Sequence, residues 1–434
     1  MLKKPEANLS ESTRIGARTH YSVALIWLTF FFNYGDRQLF GALLEPIKKE
    51  FQLSDLMLGL MSGLGFAVFY SLCALPLARL ADRWNRKYVL AICLTFWSGA
   101  CIASGAVTSA VQMLFARMFI GVGEAGGQPS GVSLISALYP RHRRNFAIGV
   151  YNAMGMVGAA TAVFGGAWIA EHHGWRAAFF AFGAPGVVLG LLIALTVREP
   201  STRAKAGETE YSFGSAIKHI VSQRGIVLTC LAGASGSGAI ACQTWLVPFF
   251  QRTHGFTLAE AGLLIALFFA FASPPAQILG GLVADRFGRT KPGDALRVTA
   301  LACIVSAGCA AGLALASSAA WAIVAAAAWT FFGGIYATPT YGVSQSQVEP
   351  RLRATSLATM GMTINLLGYG IGPTMVGALS SWLAPVVGEH SLRYGLLIMI
   401  SSLSVLAAVL YLLAARHVRP EGNVEAGLVP SAAH

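Results

Sequence analysis

The sequence predicts an all-α integral membrane protein with twelve transmembrane helices in two six-helix, pseudo-symmetric bundles. Three observations carry that prediction. The first is composition: of 434 residues, 55% are hydrophobic and only 12% charged, with a mean hydropathy of +0.61, too apolar for a soluble globular domain. A helical span takes about 20 apolar residues. Twelve such segments can be marked, at roughly 22–44, 57–80, 88–107, 110–136, 146–170, 177–197, 226–250, 260–283, 296–317, 320–343, 354–384 and 392–415. The second is charge placement. With the N-terminus inside, 24 of the 31 Lys and Arg residues fall in the tails and in the loops after helices 2, 4, 6, 8 and 10, five on the opposite side and two within the membrane. This is the positive-inside pattern, and it sets both termini in the cytoplasm of a cell inner membrane. It also accounts for the net charge of +12 without a nucleic-acid partner. The third is an internal repeat: Ala78-Arg79-Leu80-Ala81-Asp82-Arg83-Trp84-Asn85-Arg86-Lys87 follows helix 2, and Gly281-Leu282-Val283-Ala284-Asp285-Arg286-Phe287-Gly288-Arg289-Thr290 follows helix 8. Corresponding positions in a six-plus-six arrangement mean two related halves of parallel topology.

The chain then divides into a cytoplasmic tail (1–21), a first bundle (22–197), a linker (198–225), a second bundle (226–415) and a cytoplasmic tail (416–434). The polar tail and the long first apolar run lack the features of a cleaved signal peptide. Helix 1 is interrupted by Asn33-Tyr34-Gly35-Asp36-Arg37. A charge at the bilayer centre costs about 2.5–3.5 kcal/mol on insertion scales, so Asp36 and Arg37 are expected to face a cavity or a partner. Helix 4 supplies the partners, Arg117 and Glu124, two turns apart on one face. Counting about 1.5 Å of rise per residue from each helix start puts Asp36 level with Arg117, and Glu124 about 10 Å nearer the cytoplasm. The expected salt bridge is therefore Asp36 with Arg117, with Glu124 the carboxylate more readily left alone. A carboxylate whose partner can move away is a proton switch; the bland alternative is a fixed ion-pair strut between helices 1 and 4.

The linker contains Pro200, the charged run Arg203 to Glu210 and an amphipathic stretch from Phe213 to Val221 that could lie on the membrane surface. In the second half the polar cavity candidates are Gln243, Gln277, Tyr336, Tyr341 and Asn365, joined by Gln128 in the first; each could equally make a modest interhelical hydrogen bond. Glycines in helices 5 and 11, among them Gly158, Gly372 and Gly377, offer small-residue faces for close packing. The seven cysteines all fall in apolar segments and read as free thiols; no metal-ligand spacing and no phosphate-cradling G-x-x-x-x-G-K-[ST] loop occurs. An ion gradient is the expected energy source, with no cofactor.

The doubled loop motif resembles the signature of the major facilitator superfamily over the whole chain. The resemblance implies that Asp82, Arg83, Arg86, Asp285, Arg286 and Arg289 form a conformational latch stabilising one access state. Asn33 to Arg37, Ala81 to Lys87 and Arg117-Met118-Phe119-Ile120-Gly121-Val122-Gly123-Glu124-Ala125 together resemble the Spinster branch and its bacterial relatives. Asn85 fits this branch, whereas Gly35 and Gly126-Gly127-Gln128 depart from it near the cavity. The expected function is a secondary active transporter, working as a monomer by alternating access on an amphipathic or organic-anion cargo. Protons couple through Asp36 and Glu124, while Arg37, Arg117, Asn33 and Tyr34 contact cargo or form ion pairs. The rivals are an uncoupled facilitator with structural charges and a transporter-like sensor. No nucleophile–base constellation points to an enzyme.

Overall fold

The computed structural model describes residues 16–199, 218, 220–287, 291–349 and 352–419. Among them there is no β-strand, and nine helical segments are long and apolar enough to cross a membrane. The protein is a multi-pass, all-α membrane protein. Three features separate this nine from the twelve segments marked on the sequence. Helix α1 (Ala17–Ala42) carries Asp36 and Arg37, α6 (Ala110–Glu124) stops after 15 residues, and Thr355–Ala414 runs for 60 residues as one apolar stretch. At about 1.5 Å per residue that stretch is some 90 Å long, far beyond a 30 Å hydrocarbon core. It reverses at Gly388, whose φ of 59° ends the preceding helix.

The remaining helices of the first part are α2 (Leu44–Phe51), α3 (Asp55–Ser62), α4 (Leu64–Arg83), α5 (Arg86–Ala106), α7 (Gly127–Leu138), α8 (Arg141–His173) and α9 (Trp175–Thr196). The second part comprises α10 (Arg224–Ala241), α11 (Leu246–His254), α12 (Leu258–Leu267), α13 (Ser273–Phe287), α14 (Pro292–Leu315), α15 (Ala319–Gly334), α16 (Ala337–Ser346), α17 (Arg353–Thr363), α18 (Ile371–Val387) and α19 (Ser391–Ala414). Helix starts obey local chemistry. Ser54, Asn85, Ser109 and Ser318 each accept a hydrogen bond from a backbone N–H in the first turn, and Thr257 and Glu260 form a reciprocal capping box. Asn85, which stands where the second copy of the loop motif has Gly288, is thus the N-cap of α5, and the Glu199 carboxylate also accepts from Lys87 N at that helix start.

Helices before residue 197 pack chiefly on one another, α1 along α8 and α5 along α9; those after 223 do the same, α14 and α10 against α19. The α1–α8 contact is close because Gly158 has no room for a Cβ beside the Phe31 carbonyl. The two sets echo each other. The N-caps Ser54 and Thr257 are separated by the same number of residues as Asp82 and Asp285, and both intervening runs are interrupted, at Gly63 and by a π-helical turn over Phe268–Ala272. Likewise α6 breaks into α7 and α15 breaks into α16. Further interruptions are the 3₁₀ turn Cys242–Trp245 and the π turn Ile364–Gly370. Irregular backbone at membrane depth is tolerated where protein or a cavity surrounds it, and both turns border the central cavity described next.

The sets meet along two seams, α3 with α18 and α8 with α12. Both are tight at the end of the molecule that carries Asp55 and Arg252. There Gly262 sits on Ala167, Ala259 N donates to the Glu171 carboxylate at 2.6 Å, and Thr374 Oγ1 donates to Gly59 O at 3.0 Å. Toward the basic end, which carries Arg79 to Arg86, α8 and α13 diverge around a 580 Å³ cleft lined by Asn152, Met156, Phe269, Gln277 and Ile278.

Candidate functional site

Where the sets face each other lies a small central cavity of about 50 Å³. Tyr34, Arg37 and Gln38 of α1, Ser62 of α3, Phe66 of α4 and Arg117 of α6 line one wall; Gln243, Thr244, Tyr369 and Pro373 line the other. Neighbouring residues on a helix point about 100° apart, which separates the roles of Asp36 and Arg37. Arg37 turns into the cavity wall, where its Nε donates to Glu124 Oε2 at 2.5 Å. Asp36, 2% exposed, turns toward α5, where Cys101 Sγ donates to its Oδ1 at 3.4 Å and its Oδ2 has no hydrogen-bond partner.

The pairing therefore differs from the one expected from depth alone. Glu124 is held by Arg37, and Asp36 makes no salt bridge with Arg117. The depth estimate fixes height along the helix but not azimuth, and the long Arg37 side chain spans the difference in height. Arg117, 1% exposed, donates from Nε to Met61 O at 3.4 Å, while its Nη1 has no hydrogen-bond partner. The two guanidinium carbons lie 4.7 and 5.3 Å from the Phe66 ring centroid, and Phe40 and Tyr70 stack on Arg117 and Arg37. Aromatic faces stabilise buried cations without neutralising them. The cavity thus presents two guanidiniums, and no carboxylate is among its lining residues.

Of the other polar candidates, Gln243 lines the cavity and leaves Nε2 without a partner. Asn33 is buried with Nδ2 likewise unpartnered. Gln277 is in the cleft toward the basic end, its Nε2 3.9 Å from Met156 Sδ. Gln128 is exposed, Tyr336 packs on Gly236, Tyr341 is half-buried, and Asn365 donates to Gly361 O of its own helix. None of these four is among the cavity-lining residues. Tyr369 escaped the sequence reading although it lies four residues from Asn365 in the same span.

The Major Facilitator Superfamily profile matches residues 26–373. The chain belongs to the major facilitator superfamily. It is 28% identical to an MFS-type efflux pump of Mycolicibacterium smegmatis over 406 residues, covering 93% of this chain and 94% of that one. It is 24% identical to the D-galactonate transporter of Escherichia coli O6:H1, covering 94% and 98%. Among solved structures it resembles a bacterial homologue of the human lysosomal transporter Spinster in an inward-facing, unoccupied conformation, with a TM-score of 0.81, 25% identity and coverage of 93% and 98%. As a superfamily member it is a secondary active transporter that alternates between inward and outward access, not an enzyme.

In this superfamily protein the repeated loop motif stands at the basic end. Arg86 is buried, Arg83, Asp285 and Arg286 are exposed, Asp82 lies in the last turn of α4, and Arg289 lies outside the described residues. Most of the linker, 200–217 and 219, and the outer parts of both tails also lie outside them. The sequence reading gave no role to Glu45, Asp55 or Arg252, which form a cross-seam ion-pair cluster at the opposite end. Their signal was present: Asp55 follows Ser54 at the mouth of an apolar run, the pattern of a helix start.

Proposed function

We propose that this chain is a proton-coupled transporter of an organic or amphipathic anion. In this reading it crosses the inner membrane twelve times, in bundles 22–197 and 226–415 joined by a cytoplasmic linker, with both tails cytoplasmic. The observation that carries the reading is the cavity wall: Arg37 and Arg117 face the space, whereas Asp36 turns behind it and Glu124 is bound to Arg37. An entering carboxylate or phosphate meets two unpartnered donors on opposite walls, Arg117 Nη1 and Gln243 Nε2. A proton taken by Glu124 dissolves its ion pair and frees Arg37 for the cargo; Asp36 is the second proton carrier. Asn33 and Tyr34 border this network, and Asp82, Arg83, Arg86, Asp285, Arg286 and Arg289 serve as the latch. A sugar acid, the named cargo of the E. coli relative, has the required charge. At about 50 Å³ the cavity is far below the roughly 300–1,000 Å³ of a small-molecule pocket, so a whole cargo requires the halves to move.

The test is pH change in lightly buffered proteoliposomes challenged with sugar acids, aromatic acids and lysolipids, beside Glu124→Gln and Asp36→Asn. Proton movement with one cargo class only, abolished in both variants, is the expected result. Equal cargo flux in wild type and variants without a pH change would leave an uncoupled facilitator whose charges are struts.

A further inference from the structure

Alternating access requires the sealed end to open, and the seal there has an ionic centre. Asp55, 5% exposed in the first turn of α3, accepts from Lys48 Nζ at 2.6 Å, from Arg252 Nη1 and Nη2 at 2.7 and 2.9 Å, and from Ser380 Oγ at 2.6 Å. Arg252 is shared, for its Nε also donates to Glu45 Oε1 at 2.7 Å. Both of its carboxylate partners belong to the opposite helix set, so both ion pairs cross the seam. Beside the cluster the backbones press together: Leu56 N donates to Ser381 Oγ at 2.9 Å, and Gly377 has no room for a Cβ against the Asp55 carbonyl. On the far side a 690 Å³ vestibule, lined by Lys48, Ser54, Asp55, Arg252 and Ser380 among others, brings solvent to the cluster. On the near side Ser62, two helical turns along from Asp55, lines the central cavity.

We propose that Arg252 is the keystone of a gate between vestibule and cavity. Bound to Asp55 and Glu45 it holds the two helix sets together at this end, and its release from both carboxylates admits the vestibule to the cavity. A guanidinium with two carboxylates is a two-point clamp: losing one point leaves the other, which gives the gate a closed resting position. The proposal rests on alternating access and adds the element that controls one side of it.

The experiment uses the full chain in membrane vesicles with Ser62→Cys as reporter and a membrane-impermeant cationic methanethiosulfonate added on the vestibule side. Protein without the reporter corrects for the native thiols. Labelling is expected to rise about tenfold in Glu45→Gln/Asp55→Asn and in Arg252→Met, the population shift equivalent to 1.4 kcal/mol, and to change little in Ser380→Ala. Unchanged labelling in both of the first two, in protein that remains monodisperse, overturns the gate. Should those variants fail to fold, a Leu56→Cys/Ser381→Cys disulfide in the otherwise native chain decides. Oxidation must block labelling from the vestibule and reduction restore it; labelling that persists after oxidation overturns the gate. Transport that continues in an oxidised, label-protected protein would instead refute alternating access through this seam.

Discussion

Neutralising Glu124 and neutralising Asp36 are expected to have unequal effects on stability, and the difference follows from geometry. Glu124 is fully buried with its Oε2 2.5 Å from Arg37 Nε, and the Arg37 side chain is 16% exposed. Removing one partner of a buried ion pair leaves an uncompensated charge, at a cost of about 3–5 kcal/mol. Arg37 keeps some access to solvent and lies 4.7 Å from both the Phe66 and Tyr70 ring centroids, so the loss for Glu124→Gln falls to about 2–3 kcal/mol. Asp36 has no salt bridge, and its one hydrogen bond comes from a weak thiol donor at 3.4 Å. Asp36→Asn therefore costs below about 1 kcal/mol. The assay is reversible unfolding in mixed micelles with a graded mole fraction of denaturing detergent. A cycle with Arg37→Met isolates the coupling, which should be about 2 kcal/mol for Arg37 with Glu124. A Glu124→Gln protein as stable as wild type, or a larger loss for Asp36→Asn, would refute the assigned pairing.

Three further outcomes test other parts of the structure. Asn85→Ala should lower stability by about 1 kcal/mol through loss of the α5 N-cap, and Asn85→Gly by only a few tenths, measured in the same unfolding assay. Gly158→Val should separate α1 from α8 at the Phe31 carbonyl and cost about 3 kcal/mol or more, seen as loss of monodisperse protein on size exclusion; a normal profile would contradict the close approach. Glu50, in α2, accepts from both Arg176 Nη1 and Trp175 Nε1, and the Arg176 guanidinium holds its carboxyl below the usual carboxylate range. A depressed value means that this stabilisation is present above the ordinary carboxylate pKa and disappears as the pH falls through the lowered one. Both side chains are more than a third exposed, so Glu50→Gln should cost less than about 1 kcal/mol at pH 7. That difference should vanish in strongly acidic buffer and shrink in high salt.

Membrane residence, all-helical structure, the doubled loop and four intramembrane charges were legible in the chain itself. Apolar length, charge asymmetry and repeats are one-dimensional properties, and a lipid solvent leaves helices as the main way to satisfy the backbone of such segments. The difference between Asn85 and Gly288 in the two copies of the motif was visible, though only its place before α5 explains Asn85 as a cap. Partner choice was not legible. Height along a helix follows from counting residues, but azimuth depends on how each helix is rotated against its neighbours, and that rotation put Arg37 rather than Asp36 against the helix-4 charges. The breaks at Ala125–Gly126, Cys242–Trp245 and Ile364–Gly370 were hidden for a related reason: unbroken apolar runs do not record where a cavity will support irregular backbone. Least legible was the cluster of Glu45, Asp55 and Arg252, in which the arginine stands 207 and 197 residues from its two carboxylate partners in sequence. Only folding the second set of helices onto the first joins them, because two charges far apart in the chain acquire a shared, water-poor environment only when the surfaces around them close.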